Sequence, residues 1–189
     1  FPDVFGGKAH AGFSATVGNP PWDVVKPNTL EFYSQLDPNF RTYGKQEALR
    51  VAKKLRENPA HQKLWDDYEQ LFADQSTYFT EPVAVPALGK GDINTYKLFL
   101  NRFFVLLSDQ GHMAILVPSG LYTDEGCFPL RNLFFQQSRI ESLYCFENRW
   151  PEVFTAVDNR FKFITFSTQK GGETESFRCA FMQHDPIRL

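Results

Sequence analysis

The residues that most constrain the fold are Met113 to Val117, five apolar residues in succession between Gly111 and Pro118. A short apolar run without polar alternation is typical of a strand that is buried on both faces of a parallel sheet. Parallel strands need long crossover connections, which helices usually supply. The sequence therefore predicts an α/β fold, a mostly parallel sheet with flanking helices.

The segments on either side of this run fit the same architecture. Apolar residues from Ile93 to Leu107 recur at helical spacing, and Asp92 is the predicted N-cap of a helix that ends near Asp109 and stops at Gly111. The other elements predicted for the sheet domain are strands over residues 12–17, 140–146, 161–167 and 176–181 and a helix over residues 128–137.

Residues 26–90 have a different pattern and are predicted to form a helical insertion. Their apolar residues at helical spacing are Ala48, Val51, Ala52, Leu55, Leu64, Trp65, Tyr68, Leu71 and Phe72. Nine Lys and Arg balance nine Asp and Glu, so the insertion is not a basic arm. Five of the cations nevertheless cluster on the first helix, where they form either a solvated face or a face that contacts phosphates; they are Lys45, Arg50, Lys53, Lys54 and Arg56.

The most specific functional motif is Asn19-Pro20-Pro21-Trp22, directly after the strand over residues 12–17. Each proline fixes its own φ and holds the preceding residue extended. The Asn19 side-chain oxygen and the Pro20 carbonyl oxygen can then each accept a hydrogen bond from one N–H of an exocyclic amino group. These two hydrogen bonds leave the nitrogen lone pair directed at an electrophilic methyl group. Trp22 can stack on an extruded base, a contact worth about 1–3 kcal/mol. An ordinary proline turn is the alternative.

This motif resembles the catalytic motif of S-adenosylmethionine-dependent amino-methyltransferases, which modify adenine N6 or cytosine N4 in DNA. Asparagine at its first position favours adenine. Cytosine-C5 chemistry needs a Pro-Cys nucleophile, and no cysteine here follows a proline. Further stretches resemble, in the same order, the large type IIG restriction-modification and phage-defence adenine methylases: residues 1–5, 91–99, 111–120, 146–148 and 161–163.

The resemblance implies a Rossmann-like methyltransferase sheet in which the strands over residues 140–146 and 161–167 pair antiparallel. It implies S-adenosylmethionine as the cofactor and double-stranded DNA with a flipped adenine as the partner. The glycine-rich cofactor loop and the target-recognition domain of the family have no counterpart in the sequence. We therefore expect residues 1–189 to be the catalytic half of a larger polypeptide, whose remaining domains are further partners.

The resemblance also assigns roles to individual residues. Asn19, Pro20, Pro21 and Trp22 would be catalytic, and Asn19 and Pro20 would also lie against the cofactor. A second aromatic residue would help Trp22 to hold the base, and we expect this to be Phe161 rather than Phe163, which shares its face of the strand. That both phenylalanines belong to the core is the alternative.

Two other functions stay open. One is a non-catalytic scaffold or interaction segment of a restriction or defence complex, and the other is methylation of an RNA base or a protein glutamine.

The net charge of −2 gives no overall attraction to DNA, so contacts with DNA need a local patch or another domain. Three cysteines without a CxxC pair and four histidines without metal-ligand spacing indicate reduced thiols and no metal site. No apolar run is long enough to span a membrane, so we expect no membrane partner. We expect a cytoplasmic prokaryotic protein.

Overall fold

The computed structural model describes residues 1–6, 11–149, 153–155 and 157–185. The chain divides into two compact units, one formed by residues 1–24 and 81–189 and the other by residues 25–80. The first unit contains the sheet, and the second is helical.

The first unit is built on five strands: β1 (Phe13–Gly18), β2 (Leu107–Pro118), β3 (Ser138–Glu147), β4 (Lys162–Lys170) and β5 (Arg178–Gln183). Their order across the sheet is β1-β2-β4-β3-β5. The pairs β1–β2 and β3–β5 are parallel, whereas β4 runs antiparallel to both of its neighbours. The predicted α/β class with a mostly parallel sheet is therefore confirmed, and so is the antiparallel pairing of β3 with β4.

The α-helices of the described part of the chain are α1 (Pro2–Phe5), α2 (Thr29–Ser34), α3 (Lys45–Arg56), α4 (Pro59–Thr80), α5 (Thr95–Leu106), α6 (Gly120–Thr123) and α7 (Phe128–Gln137). Short 3₁₀ helices span Phe40–Thr42 and Glu125–Cys127. Helices α5 and α7 pack against β2 and β3 and supply much of the sheet's hydrophobic core. Their buried contributions are Tyr96, Leu100, Phe104, Leu130 and Phe134.

The apolar run from Met113 to Val117 lies in β2 as predicted, but it is not buried on both faces. Met113, Ile115 and Val117 point into the core, whereas Ala114 is exposed and Leu116 is half-buried. The helices α5 and α7 contribute to the cluster that contains Met113, so they cover that face of β2 and not the other. The expectation of a strand buried on both faces is therefore wrong for the described residues.

The junctions at the two ends of α5 also differ from the prediction. Asn94, not Asp92, is the N-cap, because Asn94 is held extended by a bridge to Val24 and the helix starts one residue later. At the other end, Leu107 already pairs with β1, so the helix ends at Leu106 and not near Asp109. Gly111 is a buried strand residue where an added Cβ would lie 2.8 Å from the Phe13 carbonyl oxygen, so a close approach of two strands explains this glycine.

The helical unit has a separate aromatic core. Tyr33, Phe40, Ala52 and Trp65 are buried there, and Phe32 and Tyr68 pack against them. The unit ends at Thr80, whereas the insertion was expected to continue to residue 90. Ala87 belongs to the core of the sheet unit, where its backbone N–H donates to Asn101 Oδ1 at 3.0 Å.

Candidate active site

Four chain segments meet at one end of the strands of the sheet, which is called the sheet edge below. They meet there because β4 runs opposite to its neighbours β2 and β3. Strands β1, β2 and β3 end at this edge, and β4 begins there, as the pairing of Pro118 with Phe163 and of Glu147 with Lys162 shows. Ligands of open α/β sheets bind at the carboxyl ends of the strands. Asn19-Pro20-Pro21-Trp22 follows β1 directly, so the motif lies at that edge.

The start of α5 holds the turn that contains the motif. Thr95 Oγ1 donates to the carbonyl oxygens of Pro21 at 2.7 Å and of Asp23 at 3.1 Å, and the Thr95 backbone N–H donates to Asp23 at 2.8 Å. Pro20 is buried, while Asn19 is exposed. Among the described residues, neither the Asn19 side chain nor the Pro20 carbonyl has a hydrogen-bond partner. The Asn19 side chain is exposed and therefore free to accept a hydrogen bond from a ligand, whereas the Pro20 carbonyl belongs to a buried residue.

A cavity of about 720 Å³ opens beside this turn. Ligand pockets usually measure about 300–1,000 Å³, so the cavity is large enough for a small molecule or a nucleotide. Trp22 and Phe161 both line it, whereas Phe163 is 2% exposed and belongs to the core. The other lining residues are Val24, Asn94, Tyr96, Pro118, Ser119, Gly120, Thr123, Asp124, Asp158, Arg160 and Lys162.

A row of packed aromatic rings supports Trp22. Its indole meets the ring of Phe154 edge to face at 5.8 Å between centroids, Phe154 meets Phe163 at 5.1 Å, and Phe163 stacks on Phe146 at 5.4 Å. The Trp22 Nε1 atom is buried and has no hydrogen-bond partner among the described residues. The indole is therefore held by apolar packing, against Phe154 and the hydrophobic core of the sheet unit, and not by a hydrogen bond to a described residue.

Two cations at the cavity already have carboxylate partners. The Arg160 guanidinium binds the Asp158 carboxylate at 2.7 Å, and its hydrogen bonds lower the pKa of Asp158 to about 2. Lys162 Nζ lies 3.1 Å from Oε1 of the buried Glu147, and the hydrogen bond from Lys162 lowers the pKa of that carboxyl, as do the charges of Arg149 and His184. The cavity is consequently not a free basic patch.

The wall formed by α5 and α6 is tightly packed. Tyr96 Oη lies 3.4 Å from the Cys127 thiol, and burial raises the pKa of the Tyr96 hydroxyl far above its usual range. A Cβ added at Gly120 would lie 2.5 Å from Asp124 Oδ2 and 2.9 Å from Tyr96 Oη. Glycine at this position therefore lets the Asp124 and Tyr96 side chains keep their places at the cavity.

Sequence reasoning identified some of these residues and missed others. Trp22 and Phe161 line the cavity, whereas Asn19, Pro20 and Pro21 are not among its lining residues and lie in the turn between β1 and Trp22. Phe154 was missed because it lies in a loop, where periodicity gives no signal. Thr95 lies in the stretch Gly91 to Leu98 that carries part of the family resemblance, which was the available signal.

The described residues contain no group of His, Cys, Asp and Glu side chains that could hold a metal ion. None of their helices is long and apolar enough to cross a membrane. Cys127 and Cys145 are buried free cysteines, and Cys179 is an exposed one.

No family model matches the chain, and no curated protein matches it. Among solved structures, it resembles a Listeria monocytogenes protein assigned as a class I S-adenosylmethionine-dependent methyltransferase, with 10% identity, a TM-score of 0.49 and coverage of 96% of this chain. It resembles a Vibrio vulnificus YJ016 protein assigned as a modification subunit of a type I restriction enzyme, with 17% identity, a TM-score of 0.42 and coverage of 51%. The DNA-bound type ISP restriction-modification enzyme LlaBIII gives 11% identity, a TM-score of 0.44 and coverage of 91%. The chain spans 41%, 21% and 10% of the lengths of these three proteins.

Proposed function

We propose that this chain is the part of an S-adenosylmethionine-dependent DNA adenine-N6 methyltransferase that binds the adenine and positions its amino group for methyl transfer. One observation carries the proposal: the Asn19 side-chain oxygen and the Pro20 carbonyl, neither of which has a hydrogen-bond partner among the described residues, lie in the turn that leads from β1 to Trp22, and Trp22 and Phe161 line a cavity. An amino group on a flat base needs this combination of acceptors and a stacking surface.

The residues present fit the binding of the amino group that accepts the methyl group in such a reaction. S-adenosylmethionine supplies an electrophilic methyl group when it is bound, and Asn19 and Pro20 are the residues that would lie against it. The Asn19 oxygen and the Pro20 carbonyl would each accept one N–H of the adenine amino group. The nitrogen would then become more tetrahedral, and its lone pair would form the N–CH3 bond as the bond from the methyl group to sulfur breaks. The leaving group would be the neutral thioether S-adenosylhomocysteine, and one N–H proton would pass to water. Because the lone pair is freed by hydrogen bonding, no carboxylate base is required.

The rings on the cavity support a base as the substrate. Trp22 offers a half-buried indole and Phe161 is 52% exposed, so each has ring surface that a base can cover. Arg160 and Lys162 are neutralised by carboxylates, so they give little attraction for a DNA backbone. In this proposal, the remaining domains of the natural polypeptide supply most of the DNA affinity, and this chain receives the flipped adenine.

The test is Asn19→Ala in the natural polypeptide, assayed by single-turnover methyl transfer to DNA and by mass spectrometry of the modified base. Removal of a preorganised group of this kind costs on the order of 10²–10³ in rate, because its effect is felt as charge develops on the reacting nitrogen. DNA affinity should change less than a few fold. Asn132→Ala is the matched control, because Asn132 is an exposed asparagine of the same unit, on α7.

An unchanged methylation rate in Asn19→Ala would contradict the mechanism. Methylation of cytosine N4, of RNA or of a protein glutamine by the wild type would overturn the proposed substrate. A wild-type protein that binds DNA and methylates nothing would be a scaffold.

A further inference from the structure

The connection from β3 to β4 begins at Asn148, whose side chain is fully buried. Its Nδ2 atom donates to the carbonyl oxygens of Phe154 and Val157, both at 2.9 Å. Its Oδ1 atom accepts the backbone N–H of Phe154 at 2.9 Å. Both polar atoms of the side chain are thus bonded to the backbone of the described part of this loop.

The backbone of Asn148 fixes the other end of the same loop. Its N–H donates to the Phe161 carbonyl at 3.0 Å. One residue therefore contacts the loop at Phe154, which packs on Trp22, and at Phe161, which lines the cavity. Asn148 therefore connects Phe161, which lines the cavity, with Phe154, which packs on the cavity residue Trp22.

We infer that Asn148 is a positioning residue that sets the aromatic walls of the cavity by holding Phe154 against Trp22. The inference rests on the proposed function only for what the cavity binds, because the contacts themselves do not depend on the ligand. Alanine at this position would leave the Phe154 N–H and two carbonyl groups without their partner. Loss of a hydrogen bond by a buried polar group is costly, so the loop would rearrange and Trp22 would lose its contact with the Phe154 ring.

The chain offers a matched control in Asn101, which is 4% exposed. Asn101 Oδ1 accepts the Ala87 N–H at 3.0 Å, and its Nδ2 donates to the Lys97 carbonyl at 2.9 Å. It is a buried asparagine that holds backbone in the same unit, but its bonds join residues outside the β3–β4 loop. A purely structural role for Asn148 predicts the same behaviour for both residues.

The experiment is fluorine NMR of the natural polypeptide labelled with 5-fluorotryptophan. The resonance that disappears in the Trp22→Phe variant is assigned to Trp22. Asn148→Ala and Phe154→Leu should both move the Trp22 resonance by more than its linewidth, because both remove the ring support of the indole. Asn101→Ala should leave it in place. An unmoved resonance in Asn148→Ala, or an equal shift in Asn101→Ala, would overturn the inference.

A second measurement needs no variant and covers the case in which Asn148→Ala does not fold. The Phe154 amide of the wild type should exchange with solvent as slowly as amides of the sheet, because it donates to a buried side chain. Fast exchange at Phe154 would contradict the positioning role. In the natural polypeptide, Asn148→Ala should weaken stacking of a fluorescent adenine analogue by about tenfold, a change within the range expected for one base–aromatic contact.

The two proposals can fail separately. If the Trp22 resonance moves as expected but the wild type methylates nothing, the positioning role stands and the proposed function fails. If Asn19→Ala stops methylation but Asn148→Ala leaves the Trp22 resonance unmoved, the proposed function stands and the inference fails.

Discussion

Trp65 and Trp22 are both held by aromatic neighbours, but their surroundings differ. Trp65 is 6% exposed; it stacks on Tyr33 at 5.1 Å and meets Phe32 edge to face at 4.9 Å. The Arg56 guanidinium lies over its ring at 5.9 Å. Trp22 is half-buried, meets one ring edge to face and borders a cavity.

This comparison shows what separates a core aromatic cluster from a candidate binding surface. The presence of aromatic neighbours does not, because both indoles have them. The difference is that Trp22 has ring surface at a cavity and an exposed, unpartnered Asn19 side chain in the same turn, whereas the unpartnered Tyr33 hydroxyl next to Trp65 is buried in a core cluster. We therefore expect substitutions at Trp65 to change stability and substitutions at Trp22 to change binding.

The largest effect is expected for Trp65→Ala. Removal of a buried Trp side chain typically costs about 3–5 kcal/mol, so the helical unit should unfold at much lower denaturant concentration. Leu64→Ala is the control, because Leu64 is the adjacent residue on α4 and is 51% exposed. Circular dichroism during denaturation measures both variants. A loss for Trp65→Ala no larger than that for Leu64→Ala would remove the contrast between the two tryptophans.

A smaller effect is expected for Trp22→Ala in the natural polypeptide. The variant should lose about 1–3 kcal/mol of base stacking, because the alanine side chain offers no ring face. Trp22→Phe should keep most of the activity, since the indole Nε1 has no bonding partner among the described residues. A fluorescent adenine analogue at the target position reports stacking as quenching. Equal quenching by Trp22→Ala and the wild type, or complete inactivity of Trp22→Phe, would contradict stacking by Trp22.

The smallest effect concerns the Asp158–Arg160 ion pair at the cavity. The pKa of Asp158 falls from 3.8 to about 2, so the pair stabilises the folded state above pH 3.8, and this contribution is lost as the pH falls through about 2. The free energy of unfolding of the wild type should therefore fall more steeply over that interval than that of Asp158→Asn. Both residues are solvent-accessible, so the difference should be small. If the free energy of unfolding depends on pH in the same way in both proteins, the Asp158–Arg160 ion pair contributes nothing to stability.

Local patterns predicted much of the sheet unit. The apolar run of β2, the helix over 128–137 and the strands around it have strong periodic signals, and their positions agree with the structure within a few residues. The one-sided burial of β2 could not be predicted, because it depends on where α5 and α7 pack. The start of α5 was misplaced for a similar reason, since its N-cap is set by a bridge to Val24, distant in sequence.

The candidate site was predictable only where it rests on a continuous motif. Asn19 to Trp22 were predicted from adjacent residues, and of these Trp22 lines the cavity, whereas Phe154 and Asn148 are linked by hydrogen bonds within a loop that has no periodic pattern. The preference for Phe161 over Phe163 rested on distance from the strand start, and Phe161 is the one that lines the cavity. Its role in holding a base stays a prediction.

The place of β4 in the sheet has a consequence for folding. In sequence β4 follows both β2 and β3, yet in the sheet it lies between them. A contact between residues that are near each other in the sequence requires only a short loop, so it forms faster. We therefore expect the β3–β4 hairpin to form first and then to dock on β2 as a unit. The cavity between Trp22 and Phe161 is complete only after that docking, so the site should be among the last parts of the protein to form.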